Sequence, residues 1–397
     1  MRGQNLKQLW KAHGPRFTVN RLTEALDLGR TNPRDPNGLR PEDFSIRELA
    51  EAFCGHDWVR RLWEGNLHRF GGMSVLEAGE GVDISAFSNI TGQLIFSKIQ
   101  QGWEQVANIT DQLFETIPTK LDGEKIPGIG QIKDEGSAIH PGRPYPETSF
   151  GEQYWQTPST TKKGQILSIT KELVFFDRTG LILKRAGVIG ERLKKNYEKE
   201  RLDVFAGIIN NHQWNGTSYN TYATGANAIG INCLGSTPLV DWTSIEQAEL
   251  LFTALTDPDT GNPIEIDTQN MMIVVTPYKK RTAQRIIKAT EFRADQNSNA
   301  GTQSNITIGG NPMENEYTVL SSALLYQRIT TAGSGGGGAS TANAKDWWFF
   351  GNPKRAFMWM ENWPLTVVQA PPNSTPEFER DIVMRWKGSY RGVAGVQ

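Results

Sequence analysis

Cysteine is almost missing from this chain. Its 397 residues include two, Cys54 and Cys233, far apart in sequence, so no framework of bridges can be built and both are expected as free, buried thiols of a reducing compartment. Long hydrophobic runs are missing as well. The run Met271–Val275 has the length of a buried strand, and no window approaches a membrane span, so no membrane partner is expected. Met1 to Trp10 has no apolar core after its basic residues, which predicts no secretory signal and synthesis in a cytoplasm. An excess of charge of either sign is lacking too. With 42 basic against 43 acidic residues and a net charge of −1, the chain is unlike a dedicated nucleic-acid binder, whose affinity comes from neutralised phosphates, and any such contact is expected to be weak or local.

Catalytic constellations are equally scarce. None of the five histidines, His13, His56, His68, His140 and His212, lies in a spacing used by a nucleophile triad or a zinc site. Cys54-x-His56 with His68 comes nearest to a metal motif and falls short of one. Asp257-Pro258-Asp259-Thr260-Gly261-Asn262 starts like a calcium loop, but the glycine comes one place early and Thr268 stands where a glutamate is needed. The glycines at 335–338 are not followed by Lys-Ser or Lys-Thr, so they form no phosphate cradle. No catalytic residue, metal or cofactor is assigned. The twelve tryptophans are expected in core or subunit contacts.

What the chain does contain is periodicity. From Arg178 to Asn210, Ile182, Ala186, Ile189, Leu193, Tyr197, Val204 and Ile208 recur at steps of three, four or seven, and charged residues including Lys184, Lys194, Lys195, Glu198, Lys199 and Arg201 fill the other faces. This predicts one helix of roughly 45 Å, a beam longer than an ordinary domain needs. Gly180 and Gly190 are expected to weaken it slightly, and Glu198 with Asp203 to be solvated charge.

Upstream, residues 1–80 alternate short helical pieces with breakers and read as an arm; Ser45 and Glu48 form a capping box. Ile84 to Ile117 predicts a second helical region. Residues 121–164 change character: glycine and proline interrupt every regular pattern, yet Tyr145, Phe150, Tyr154 and Trp155 carry apolar surface. A lone two-stranded ribbon is marginal in water, so these four aromatics are expected to rest on a neighbouring subunit, with the ribbon dispensable for folding of its own. That implies an oligomer. The alternation Ile166 to Leu173 predicts a strand.

Downstream, Asn211–Pro238 reads as polar and turn-rich, followed by a helix over Thr243–Leu255 capped by Asp241 or Thr243, a central strand over Met271–Val275 and a helix over Lys279–Ala289, together an α/β layer. Strands are predicted over Tyr317–Leu320 and Leu324–Ile329. Ala332–Ser340, with seven Gly and Ser in nine positions, predicts a mobile loop. Strands over Trp347–Phe350, Arg355–Met360, Leu365–Val368 and Phe378–Trp386 predict a closing antiparallel sheet.

Arm, long hairpin, short strand, beam helix, α/β layer and closing sheet, in that order, resemble the major capsid proteins of tailed bacteriophages of the Hong Kong 97 type. Local texts carry the likeness: Asp83-Ile84-Ser85-Ala86-Phe87-Ser88-Asn89-Ile90-Thr91-Gly92-Gln93-Leu94, Ile166-Leu167-Ser168-Ile169-Thr170-Lys171-Glu172, Ile273-Val274-Val275-Thr276-Pro277 and Trp348-Phe349-Phe350-Gly351-Asn352-Pro353-Lys354-Arg355-Ala356. The resemblance implies an α+β fold with an N-terminal arm and helices at 1–120, an extended β-hairpin loop at 121–164, a peripheral domain with its spine helix at 165–212, an axial domain at 213–345 and peripheral strands with the C-terminal return at 346–397.

It also implies a structural protein rather than an enzyme: a head protein that self-assembles as pentamers and hexamers into an icosahedral shell around double-stranded DNA, assembled in the host cytoplasm and found in the virion. Portal, scaffold or decoration proteins are implied as further partners. Lys184, Lys194, Lys195 and Lys199 are then expected to face the lumen and touch packaged DNA without sequence preference. Some members of the family join subunits by a lysine–asparagine bond, which here would need Lys162 or Lys163, Asn352 or Asn362, and a carboxylate such as Glu361. The alternatives are a cellular nanocompartment shell of the encapsulin kind and, from another class, a cytoplasmic enzyme or carbohydrate-binding protein that uses the tryptophans.

Overall fold

A computed structural model describes residues 21, 24, 25, 28, 46, 47, 58–63, 81–129, 140, 152–176, 180–223, 231–235, 237–256, 264, 266, 271–295, 306–311, 313–331, 341–370 and 380–396. Most of the arm, the Ser45–Glu48 capping box, Cys54, His13, His56, His68, Tyr145, Phe150, the calcium-like run 257–262 and the loop 332–340 lie outside the described residues.

In chain order the helices are α1 (Trp58–Trp63), α2 (Gly81–Gln105), α3 (Thr110–Leu113), α4 (Lys171–Phe176), α5 (Leu181–Phe205), α6 (Trp242–Thr253), α7 (Lys280–Lys288), α8 (Ala323–Thr331), α9 (Thr341–Ala344) and α10 (Pro353–Ala356). The strands are β1 (Glu115–Pro118), β2 (Lys125–Ile129), β3 (Glu152–Gln156), β4 (Thr161–Thr170), β5 (His212–Trp214), β6 (Thr217–Tyr219), β7 (Met272–Val275), β8 (Glu291–Asp295), β9 (Ile306–Gly310), β10 (Thr318–Ser321), β11 (Trp348–Gly351), β12 (Phe357–Gln369) and β13 (Ile382–Val396). The chain divides into two compact units, one of residues 1–107, 162–197 and 363–391, the other of 108–161, 198–362 and 392–397.

The first unit is built on helix crossing. Leu94, Ile95 and Ile99 of α2 and Ile182, Leu183 and Ala186 of α5 are all buried in one core with Leu167, Ile169, Val383, Met384 and Trp386 from the strands. Each large aliphatic contributes about 1.5–3 kcal/mol by leaving water. The two helices touch backbone to backbone. A β-carbon on Gly190 would lie 2.0 Å from the carbonyl oxygen of Ile99, and one on Gly102 would lie 2.1 Å from that of Gly187. Gly190 is therefore a contact residue, where the sequence suggested only a weak place in the helix.

The second unit holds a three-stranded sheet of order β10-β7-β11, with β10 parallel and β11 antiparallel to β7. As its unbroken apolar run predicts, β7 is the central strand. Ile273 and Val275 pack with Ile245 of α6 and with Ala283, Ile286 and Ile287 of α7. Asp241 caps α6 by accepting a hydrogen bond from the Thr243 N–H at 3.1 Å.

Four expectations are corrected. Leu324–Ile329 is helix α8: the Ser322 hydroxyl accepts from the N–H groups of Leu324 (3.1 Å) and Leu325 (3.3 Å), and Leu325 and Ile329 are buried one turn apart. The second helical region stops at Gln105, and Glu115–Pro118 is strand β1. The closing sheet, of order β1-β12-β13-β4, is not wholly antiparallel, because β1 runs parallel to Met358–Glu361 of β12. The two strands expected over Arg355–Met360 and Leu365–Val368 are one, β12, with Arg355 in α10 instead; the pairing with β1 ends at Glu361, before Pro364, so that proline breaks no ladder bond with β1.

The ribbon does not stand alone either. β3 pairs antiparallel with β2 on one side and with β5 on the other, giving a four-stranded sheet of order β2-β3-β5-β6. Asn215, with φ of 48°, and Gly216, with φ of 79°, make the two-residue turn between β5 and β6, the Asn-Gly sequence being favoured because both positions need positive φ.

Candidate functional site

Of the four aromatics expected at a subunit contact, Tyr154 and Trp155 lie on β3, and Tyr145 and Phe150 lie outside the described residues. Tyr154 is locked to the β5–β6 turn: its N–H donates to Asn215 Oδ1 at 2.8 Å, and the Asn215 N–H donates to the Tyr154 carbonyl at 3.0 Å. The Lys125 ammonium lies 4.5 Å from the centre of the Tyr154 ring. Trp155 sits between Ile126 and Trp214 in the ladder and is half-buried. Part of the apolar surface of both rings is thus covered within their own unit. Beyond β3 the ribbon is pinned, since the Thr157 hydroxyl donates to the Glu124 carbonyl at 3.0 Å and the Thr160 N–H donates to Asp122 Oδ1 at 2.7 Å.

The basic face expected on the beam is smaller than its sequence suggested. Lys184 and Lys195 are exposed and Lys199 is half-buried, but Lys194 is only 8% exposed. Its ammonium lies 5.1 Å from the ring centre of Trp103 and 4.9 Å from that of Tyr197. These rings and Tyr390 form an aromatic cluster with centroids 5.3–5.7 Å apart. Lys194 is corrected from the wet face to a cation over aromatic rings.

The last turns of α5 depart further from a solvated helix. Arg201 is fully buried, donates to Asp111 at 2.7 Å and to Thr116 at 3.3 Å, and lies over the rings of Phe114 and Trp359. Glu198 and Asp203 are buried as well, against expectation. Asp203 takes both prongs of the Arg328 guanidinium, at 2.6 and 2.7 Å, tying α5 to α8 and holding Arg328 above its ordinary pKa. Burial pushes the Glu361 carboxyl up, and the charge of Arg201 pulls it only partly back. Asn362 donates to the carbonyls of Thr119 and Leu121 at 3.1 and 3.5 Å. Lys162 sets its ammonium 5.7 Å from the centre of the Trp363 ring.

One cavity of about 890 Å³ lies in the second unit, lined among others by Phe205, Tyr222, Cys233, Phe252 and Phe349. The Tyr222 hydroxyl donates to the Phe205 carbonyl at 2.7 Å, and burial holds this phenol and the Cys233 thiol above their usual pKa values. Both stay protonated near neutrality, so neither is a ready nucleophile. Burial holds His212 below its usual value, against a backbone hydrogen bond with Val396 that raises it. Among the described residues, no three His, Cys, Asp or Glu side chains come together as metal ligands, and no helix is long and apolar enough to cross a membrane.

A family model described as phage capsid protein matches residues 154–396, from β3 to the end of β13. No curated protein matches the chain. Among solved structures, the capsid of the cyanophage P-SCSP1u is similar at 14% identity, with 73% of this chain and 85% of that one covered and a TM-score of 0.45. The mature capsid of bacteriophage PhiM1 is similar at 10% identity, covering 74% and 85%, with a TM-score of 0.43. The capsid of a native GTA particle is similar at 12% identity, covering 74% and 88%, with a TM-score of 0.39.

Proposed function

This chain belongs to the phage capsid protein family, and from that premise we propose that it is the major head protein of a tailed bacteriophage, of the Hong Kong 97 type. Copies of it close as pentamers and hexamers into an icosahedral shell around double-stranded DNA, in the host cytoplasm first and then in the virion. The observation that carries this reading is the extent of the family match, which takes in the second strand of the ribbon, the beam helix, the α/β layer and the closing strands. The arrangement of elements agrees: a 25-residue helix of about 37 Å, and a ribbon whose sequence carries aromatic surface. In this reading residues 165–212 and 346–397 belong to the peripheral domain and 213–345 to the axial one. The ribbon aromatics Tyr145, Phe150, Tyr154 and Trp155 meet a neighbouring subunit, and Lys184, Lys195 and Lys199 face the lumen. Portal, scaffold and decoration proteins are the partners such a shell takes.

Electron microscopy of the purified full chain is the test. Closed shells or capsomer rings are the expected image. A monodisperse monomer at every concentration and in crowding polymer overturns the reading. Shells that hold a protein cargo and exclude DNA point to the nanocompartment instead, a reading the family match does not favour.

A further inference from the structure

Among the described residues, α7, whose sequence is Lys280-Arg281-Thr282-Ala283-Gln284-Arg285-Ile286-Ile287-Lys288, contains four basic residues and no acidic one. The helix divides cleanly. Ala283, Ile286 and Ile287 are buried in the core of the α/β layer, while Lys280, Arg281, Arg285 and Lys288 are exposed. Arg281, Arg285 and Lys288 follow one another at steps of four and three, which sets them in a row along one face.

Nothing within the described chain neutralises this row. Lys279, just before the helix, pairs with Asp346 at 2.9 Å, but none of the four exposed cations has a carboxylate within ion-pairing distance among the described residues. The turn docked on the end of the helix, where the Asn315 N–H donates to the Ile287 carbonyl at 3.1 Å, carries Glu314 and Glu316, and neither reaches Arg285 or Lys288. A fifth cation, Lys345, lies 5.1 Å from the ring centre of Tyr278, at the start of the same helix. Helix electrostatics explain only half of the pattern. Arg285 and Lys288 suit the negative C-terminal end, whereas Lys280 and Arg281 occupy the positive N-terminal turn, where the helix itself disfavours them.

We propose that this face of α7 binds the phosphate backbone of double-stranded DNA without reading its sequence. Protein–protein contacts place aromatic and apolar side chains at their centres and deplete lysine there, whereas the exposed charged residues of α7 itself are two lysines and two arginines, with the exposed ring of Tyr278 only before its first turn, which suits a row of phosphates. The identity of the polyanion rests on the capsid reading, which supplies packaged duplex DNA; the charge pattern does not rest on it. Balanced net charge keeps the grip weak, since one short row on a neutral chain holds few phosphates.

The experiment measures binding of the purified, unassembled full chain to a labelled 30-base-pair duplex of random sequence by fluorescence anisotropy between 50 and 200 mM salt, beside the variant K280Q/R281Q/R285Q/K288Q, with assembly of each followed separately by electron microscopy. For each phosphate that the variant no longer neutralises, the slope of log K against log salt is expected to become shallower by about 0.9. The single variants R281Q and R285Q, each expected to make the slope shallower by up to about 0.9, cover the case in which the fourfold variant folds poorly, and a charge-keeping variant, R281K/R285K, retains the slope. An unchanged slope in a folded glutamine variant overturns the assignment, as does binding of poly-glutamate more tightly than duplex, which would mark an acidic protein as the partner. Loss of assembly with an unchanged slope overturns it too, in favour of a contact between copies. Should the wild type bind duplex with the steeper slope yet form no shells, the capsid reading fails and the α7 assignment stands.

Discussion

Single residues in this chain are decided by burial more than by type. Arg201, Glu198 and Asp203 sit on the polar side of a helical wheel, yet all three are buried, because other parts of the second unit close over the last turns of α5. A wheel drawn from one helix cannot show that cover. Asp203 would be costly to bury alone and is matched by Arg328 on both oxygens, from 125 positions away in sequence. Glu361 is less well matched: burial raises its pKa and the charge of Arg201 only partly offsets it. A carboxyl with a folded pKa above its unfolded value binds its proton more tightly in the native state, so its contribution is fully present below the unfolded pKa of about 4.3 and is lost as pH rises through the folded value. Urea unfolding of Glu361→Gln is therefore expected to vary less with pH above about 4 than that of the wild type, and the variant to be the more stable of the two at neutral pH. A wild type and variant whose midpoints move in parallel would refute this account.

At the scale of elements, the crossing of α2 and α5 makes the sharpest demand. Gly190→Ala places a methyl group where the Ile99 carbonyl already stands, so the helices must separate and disturb the core around Leu94, Ile95 and Ala186; a destabilisation of about 3 kcal/mol or more is expected in thermal or denaturant unfolding. Gly187→Ala is the control. There the three atoms nearest the added carbon all belong to Lys98 and none is nearer than 3.7 Å, and the gain in helix propensity of up to about 1 kcal/mol makes the variant neutral or more stable. Equal destabilisation from both would mean that the helices do not cross at these glycines. Both helices are legible from their periodicity, and β7 from its unbroken apolar run, because each pattern reports the face that a neighbour covers. The requirement for Gly190 is not legible, since close backbone approach leaves no periodic trace. Helix α8 escapes for a different reason: Leu-Leu-Tyr fits a strand equally well, and the deciding signal lies just before it, in the Ser322 cap. The β5–β6 hairpin carries the plainest signal of all, Asn215-Gly216, inside a segment whose composition says only that it is turn-rich. Beyond Trp386, β13 hides behind glycines; Gly392 is needed because a β-carbon there would lie 2.6 Å from the Trp359 ring.

For the whole molecule, the question is which part of the ribbon serves the subunit and which part serves its neighbours. Composition alone makes residues 121–164 a single excursion, dispensable for folding. The pairing of β3 with both β2 and β5, and the hydrogen bonds from Thr157 to Glu124 and from Thr160 to Asp122, move the base of the ribbon into the fold of its own unit. Removing residues 131–158 would take β3 away and expose Ile126 and Trp214, so that deletion does not separate folding from assembly. A cut confined to 131–150 does. It leaves β2, β3, β5 and β6 in register and removes Tyr145 and Phe150, whose burial on a neighbour contributes about 1.5–3 kcal/mol each if they lie at the contact. Contacts repeated in every copy multiply through a shell, so even this change per subunit shifts assembly strongly. With residues 131–150 replaced by a short Gly-Ser linker, the expected product is a soluble subunit that unfolds cooperatively with nearly the wild-type midpoint and forms no closed particles by electron microscopy. Particles of normal yield and size from that variant would remove the ribbon tip from the assembly contacts, and a subunit that fails to fold would place the tip in the core of its own unit.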